Sequence, residues 1–173
     1  MKVTFDEVEL MEVCSKVGVG LAMAVTPYVV GSGVTLIRNQ NIRPNRFDSS
    51  SLLYVDQKFA ASHSSKTIRT NDVLVVRTGA NIGDACVVPE LFDGSHSFTT
   101  LVARPRQGLL SSRYLTQYIN SQFGRSEVER LMAGGGKGNL TLANWNDSES
   151  EFPPLRCKNE SQNYWASGTS PSV

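Results

Sequence analysis

Asn71-Asp-Val-Leu-Val-Val-Arg-Thr-Gly-Ala-Asn-Ile-Gly83 joins a short β-branched run to a glycine-flexed polar loop through a single arginine. Val73 to Val76 favour a pleated strand, and the residues on either side supply turn chemistry. Three more runs have the same character: Val34-Thr-Leu-Ile-Arg38, Cys86-Val-Val88 and Thr99-Thr-Leu-Val-Ala-Arg104. Three of the four end on an arginine (Arg38, Arg77 and Arg104), which puts a cation where a strand meets a loop. Turn-rich stretches separate them, chiefly Asn39-Gln-Asn-Ile-Arg-Pro-Asn-Arg46 and Phe92-Asp-Gly-Ser-His-Ser97.

Beyond residue 110 the period becomes helical. Ser111 or Ser112 can cap a helix whose apolar face is Tyr114, Leu115, Tyr118, Ile119 and Phe123, with Gly124 as its stop. Ser126 and Glu129 form a capping-box pair that opens a second helix over Glu127–Ala133, ended by Gly134-Gly-Gly. Short strands first and helices late predict an α+β domain: a twisted mixed sheet over residues 3–140, followed by an irregular tail over 141–173.

The 173 residues suit one domain with a real core, and 40% of them are hydrophobic, too many for wholesale disorder. No apolar stretch is long enough to span a bilayer, so no membrane association is expected. Met1–Glu12 carries four acids and no apolar core, unlike a signal peptide. Cys14, Cys86 and Cys157 are odd in number and widely spaced, which argues against a disulfide framework and for the cytoplasm. The Asn139-Leu-Thr tripeptide then carries no glycan. The net charge of +1 hides a gradient. Residues 36–140 hold 13 bases and 8 acids, and 10 of those bases are arginine, whereas both flanking segments are net −2. Arginine suits phosphate and base edges, although ordinary surface charge also explains an excess of this size.

Catalytic patterns are few. Gly134-Gly-Gly-Lys-Gly138 fails as a phosphate loop: no Ser or Thr follows Lys137, the spacing is wrong, and a helix precedes it. It remains a flexible cationic loop that can lie along a nucleic-acid backbone. His63 and His96 sit in separate polar loops without metal-ligand spacing, and no nucleophile elbow occurs. Asp72 and Asp84 flank one strand-and-loop unit and read as turn residues rather than as a catalytic pair. The loops fit binding better. Arg recognises guanine, and Asn or Gln recognises adenine, through paired hydrogen bonds. Side-chain chemistry therefore places Arg38, Asn39, Asn41, Arg43, Arg77, Thr78 and Asn81 near bases, and Arg46, Lys137 and Asn139 near phosphates.

Those loops also carry a family likeness. Val34-Thr-Leu-Ile-Arg-Asn-Gln-Asn-Ile42, then Asn71–Gly83, then Ser112-Arg-Tyr-Leu-Thr-Gln-Tyr-Ile-Asn-Ser121 and Gly135-Gly-Lys-Gly-Asn-Leu140, resemble in order and spacing a target recognition domain of a type I restriction–modification specificity (S) subunit. The likeness covers roughly residues 5–140. It implies a chain without catalytic residues, metal or cofactor. Such a chain selects the site on double-stranded DNA for a methyltransferase (M) subunit and a restriction (R) subunit. It also implies a second recognition half and long helices that grip the methyltransferase; neither is visible in this sequence. The competing expectations are a non-catalytic RNA-binding or nonspecific nucleic-acid-binding module, which lacks the usual aromatic stacking signature here, and a small hydrolase built on His63 or His96.

From Thr141 the sequence leaves the family pattern, and a change of reading frame accounts for the departure. Suitable codons for Thr-Leu-Ala-Asn-Trp-Asn-Asp-Ser (141–148) read one nucleotide out of phase as NSGQLERF. The stretch to Val173 continues in that phase as RERVPPPSLQKRITKLLGKWDEPIS, which restores a proline-rich turn and an apolar-periodic helix. Residues 141–173 are therefore expected to be an out-of-frame tail created by loss of one nucleotide just after Leu140. The coding DNA tests this. Restoring one base there should open a long helix-coding continuation, and an early stop codon instead would end the idea.

Overall fold

The structure, a computed structural model, describes residues 5–6, 10–133 and 157–158. Twelve strands and four helices fall within them. In chain order they are β1 (Phe5–Asp6), α1 (Leu10–Val13), β2 (Cys14–Val19), β3 (Val29–Val30), β4 (Val34–Ile37), β5 (Ile42–Arg43), β6 (Arg46–Phe47), β7 (Leu53–Val55) and α2 (Gln57–Ser62). β8 (Val73–Val76), β9 (Ala85–Val87), β10 (His96–Ser97), β11 (Thr100–Pro105), α3 (Ser112–Asn120), α4 (Gln122–Ala133) and β12 (Cys157–Lys158) follow. The architecture is α+β with its two long helices late. The strands divide between two four-stranded sheets and two two-stranded pairs, β1–β12 and β5–β6, rather than forming one sheet. The first, β2-β11-β8-β9, is antiparallel throughout. The second, β10-β4-β7-β3, has one parallel pairing, His96–Ser97 beside Leu36–Ile37. β1 pairs with β12. The remaining residues of the expected tail, and Lys137 and Asn139, lie outside the described residues.

β8 organises the core. Its four side chains are completely buried. Successive strand residues point to opposite faces, so the run serves two cores at once. Val73 and Val75 join Leu115, Ile119 and Val128 of α3 and α4, together with Leu101 and Ala103 of β11. Leu74 and Val76 join Ile37, Ile42, Ile68 and Phe92 on the other face. At about 1.5–3 kcal/mol for each fully buried aliphatic side chain, no other four-residue stretch among the described residues contributes more. A third cluster, with Leu36, Val55 and Phe59 at its centre, seats α2 on the second sheet.

Polar anchors fix the ends of the elements. Asp56 caps α2 through its Oδ1, which accepts from the N–H groups of Lys58 (2.8 Å) and Phe59 (3.1 Å). Asp72, just before β8, is completely buried and takes the Arg104 guanidinium in a two-pronged pair, Nε to Oδ1 at 2.7 Å and Nη2 to Oδ2 at 2.8 Å. Asp84 is joined to Arg125 of α4, which also donates to the Ile82 carbonyl (3.1 Å) and so ties the helix to the loop after β8. Both aspartates also close turns, Asp72 N–H donating to the Arg69 carbonyl (3.0 Å) and Asp84 N–H to the Asn81 carbonyl (3.1 Å), so they are turn residues that distant arginines hold as well. Arg104 lies inside β11 rather than at the junction of a strand with a loop.

The helical boundaries also depart from expectation. α3 stops at Asn120, and α4 begins at Gln122 rather than Glu127. Ser121 bridges them: its Oγ donates to the Tyr118 carbonyl (2.6 Å) and accepts from the Gly124 N–H (3.2 Å). Ser126 caps nothing, since its Oγ donates to the Gln122 carbonyl within α4 (3.0 Å). Gly124 ends no helix. It is the point where α4 passes over the end of α3, so close that a Cβ there would collide with the carbonyl oxygens of Tyr118 and Ile119. Gly124→Ala should therefore destabilise the domain by about 1–3 kcal/mol, the usual size of an overpacking penalty, even though alanine is the better helix former. Urea unfolding monitored by circular dichroism gives the number, and an unchanged or raised midpoint would contradict the close approach.

Candidate nucleic-acid interface

Two polar loops leave strands of different sheets and meet. The first follows β4 and forms the 3-10 turn Asn39–Asn41 and the β5–β6 hairpin; the second, residues 77–83, follows β8. The hairpin turns at Pro44-Asn45, with Asn45 left-handed at φ 59°, the conformation that proline followed by asparagine favours in a type II turn. Its tip docks on the first sheet, where the Asn45 N–H donates to the Ala85 carbonyl (2.9 Å) and Asn120 Nδ2 to Asn45 Oδ1 (3.1 Å).

The contact between the loops is made by side chains singled out in the sequence. Asn39 Nδ2 donates to the Thr78 carbonyl (2.8 Å) and to its Oγ1 (3.1 Å). Asn81 Nδ2 reaches back to the carbonyls of Asn39 (3.3 Å) and Ile42 (3.4 Å). Arg38, Asn39, Arg77, Thr78 and Asn81 thus belong to one half-buried junction, although 39 residues separate Asn39 from Thr78. Arg38 Nη2 is held by the Ser51 carbonyl (2.6 Å). Among the described residues, four buried side-chain polar atoms lack a hydrogen-bond partner, and three of them are here: Arg38 Nε, Asn39 Oδ1 and Arg77 Nε. Buried polar groups are nearly always paired, so these three atoms set the junction apart from the rest of the described interior.

Other candidates fall elsewhere. Asn41 is completely buried and its amide is spent inside its own loop. Its Oδ1 accepts from the Arg38 N–H (2.9 Å), and its Nδ2 donates to the carbonyls of Asp48 (3.0 Å) and Ser50 (2.9 Å). It shapes the loop and offers nothing to a base. Arg43 and Arg46 face each other across the hairpin. Arg43 lies 3.8 Å from Asp48, whereas Arg46 is exposed. The side-chain and backbone hydrogen bonds from Ser50, reinforced by Arg46 and Arg43, hold the Asp48 carboxyl below the usual carboxylate range, so it remains an anion beside the two arginines.

Among the described residues, the histidines and cysteines lie at separate places in the fold. His96 is not in a polar loop: it lies buried in β10 with Nε2 against the Ala60 carbonyl (3.2 Å), and burial pushes its pKa down. His63 packs on Phe59, with ring centroids 4.4 Å apart. Burial pushes the Cys14 and Cys86 thiols up to about 12, which leaves them inert near neutrality. No group of three or more His, Cys, Asp or Glu among the described residues is arranged to hold a metal ion. No helix among them is long and apolar enough to cross a membrane.

No family model and no curated protein matches the sequence. Solved structures do match the fold. A chain from a structure of a type I R-M system, determined to explain complex assembly and conformational transition, aligns with a TM-score of 0.59 at 17% identity, over 84% of this chain and 37% of that one. The HsdS subunit from Thermoanaerobacter tengcongensis aligns with a TM-score of 0.49 at 20% identity, over 69% of this chain and 28% of that one. The fold is therefore shared with a component of a type I R-M system, and this chain spans little more than a third of that component's length.

The internal use of Asn41 predicts a stability effect. Asn41→Ala removes three partly buried hydrogen bonds from a completely buried side chain, which should cost about 3 kcal/mol in urea unfolding. An asparagine serving only as a base reader would be replaced at almost no cost to stability.

Proposed function

We propose that this chain recognises a specific sequence in double-stranded DNA as the non-catalytic specificity component, or a fragment of one, of a type I restriction–modification system. In this reading it acts in the cytoplasm and directs a methyltransferase subunit and a restriction subunit to their site, with a second recognition half reading the other part of the target. The fold shared with a component of a type I R-M system supports the class of assembly. The observation that carries the reading to DNA is the junction of the two loops, where Arg38, Asn39 and Arg77 present buried, unpartnered polar atoms. Arginine and asparagine are the residue types that read guanine and adenine edges in the major groove.

The roles divide by environment. Arg77, half-buried at the end of a strand packed on both faces, is positioned firmly enough to discriminate a base. Thr78 and Asn81 brace the loop that carries it. Arg43 and the exposed Arg46, on the hairpin, suit the phosphate backbone, which requires charge more than rigid placement. Residues 141–173, as an out-of-frame tail, would take no part in recognition. Modification itself belongs to the methyltransferase partner, which must turn its target base out of the helix.

Arg77→Ala should lower affinity for the cognate duplex by about 1–3 kcal/mol and relax preference at one base position, whereas Arg46→Ala should weaken binding to all duplexes alike. Selection from a random-sequence DNA pool with wild type and each variant measures both effects. An equal loss on every sequence for Arg77→Ala would remove the base-reading role, and wild-type binding without preference would remove sequence-specific recognition altogether.

A further inference from the structure

At the opposite end of β8 from the paired loops, a cleft of about 510 Å³ opens between β2 and the 3-10 turn Ser64–Lys66. Lys16, Arg69 and Arg104 line it, together with Ser64, Ser65 and Thr67. Lys16 and Arg104 are direct cross-strand partners, so the pleat sends both cations to the same face, an arrangement that by itself disfavours the sheet. Lys16 Nζ is tethered to the Ser65 carbonyl (2.9 Å), and the neighbouring Lys66 Nζ to the Val19 carbonyl (3.1 Å). Each ammonium keeps two further donors. The Arg69 side chain is exposed and makes no hydrogen bond or ion pair with a described residue.

The cations are poorly balanced. Asp72 is completely buried, gives both oxygens to Arg104 and accepts from the Arg69 N–H (2.8 Å). Asp93 acts on Arg104 only at longer range, and its Oδ1 accepts from the Thr70 N–H (2.8 Å). Burial, followed by repulsion from Arg104, Lys66 and Arg69, holds Lys16 below the usual lysine range, with Asp72 opposing. An anion seated among these groups would relieve that repulsion. A tetrahedral oxyanion suits the donors present, which are a guanidinium fork, ammonium groups on tethered stems, and the Ser64 and Ser65 hydroxyls at the rim.

We propose that the cleft lined by Lys16, Arg69 and Arg104, with Lys66 on the adjoining 3-10 turn, is a sequence-independent phosphate subsite, distinct from the paired loops. The five strand steps from Asp72 to Arg77 set it about 17 Å from the loops. That span corresponds to about five base pairs, so a duplex lying along the direction of β8 and read by the loops would bring a backbone phosphate to the cleft. A small phosphate compound offers the same chemistry, and the experiment separates the two sources.

The test uses the full chain and the double variant Arg69→Ala/Lys66→Ala, whose side chains are exposed and whose removal leaves the Asp72–Arg104 pair intact. Inorganic phosphate is titrated against chloride at constant ionic strength, following the backbone amide resonances of Thr67 and Arg69. Duplexes of several sequences are titrated across a range of salt. Wild type should show saturable phosphate shifts that the variant weakens at least about fivefold. The variant should lose affinity equally on all duplexes, with the slope of log affinity against log salt reduced by about 1 per cation removed. Loss of phosphate binding with unchanged duplex affinity supports the site and assigns it to a small phosphate compound. Absence of a saturable shift beyond that of chloride, together with an unchanged salt slope, overturns the proposal. The phosphate titration requires no sequence preference, so it stands or falls separately from base reading by the loops.

Discussion

Burial of β8 on both faces is the constraint on which the rest of the structure depends. A strand whose alternate side chains all meet apolar neighbours cannot slip by one residue without exchanging its two cores. The residues at its ends are therefore placed as firmly as the strand itself. At the start, Asp72 is drawn into the interior and is tolerated there because Arg104, from the adjacent strand, matches it in charge and geometry. At the other end, Arg77 emerges into the junction with the first loop. One four-residue strand thus fixes two cationic regions and the distance between them.

The runs that a local reading detects best are those in which composition and burial agree. Val34–Ile37, Val73–Val76 and Thr100–Arg104 are β-branched and largely buried, and all appear as strands. β2 was not legible in the same way. Cys-Ser-Lys-Val-Gly-Val mixes a lysine, a serine and a glycine into a strand that pairs along one side only, where polar side chains face solvent. β7, only three residues long, gives too short a pattern to separate from the surrounding loop. The helix break was misplaced because glycine commonly ends helices, whereas at position 124 it serves a helix crossing that exists only in three dimensions.

The polar residues divide in a related way. Sequence alone brought Arg38, Asn39, Arg77, Thr78 and Asn81 into two candidate loops, and the fold joins those loops through hydrogen bonds among three of them, Asn39, Thr78 and Asn81. Residue type could not separate Asn41 from Asn39, because both are loop asparagines two positions apart. The difference is burial, set by the carbonyls of Asp48 and Ser50, which fold back over Asn41. Asp72 and Asp84 were similarly opaque: their arginine partners lie 32 and 41 residues away, beyond any local pattern. His96 sits in a polar stretch of sequence that the parallel pairing with β4 draws into the interior.

The loop junction shows how rigidity and unsatisfied chemistry can coexist. An arginine free in solvent would lose side-chain entropy on binding, by about 0.5–1.5 kcal/mol for each rotamer-rich side chain fixed. Arg38 has lost much of that freedom already, since its guanidinium is held by the Ser51 carbonyl. Its Nε, and that of Arg77, are buried without a partner, so part of their desolvation cost is borne in the folded protein and not at the moment of binding. A ligand group brought to them by a shift of the covering side chains would gain a hydrogen bond. A ligand lacking the right acceptors leaves the same atoms unsatisfied. In the proposed reading, discrimination between ligands would come from groups the fold leaves incomplete, on top of the doubly buried strand that supplies the stability to hold them.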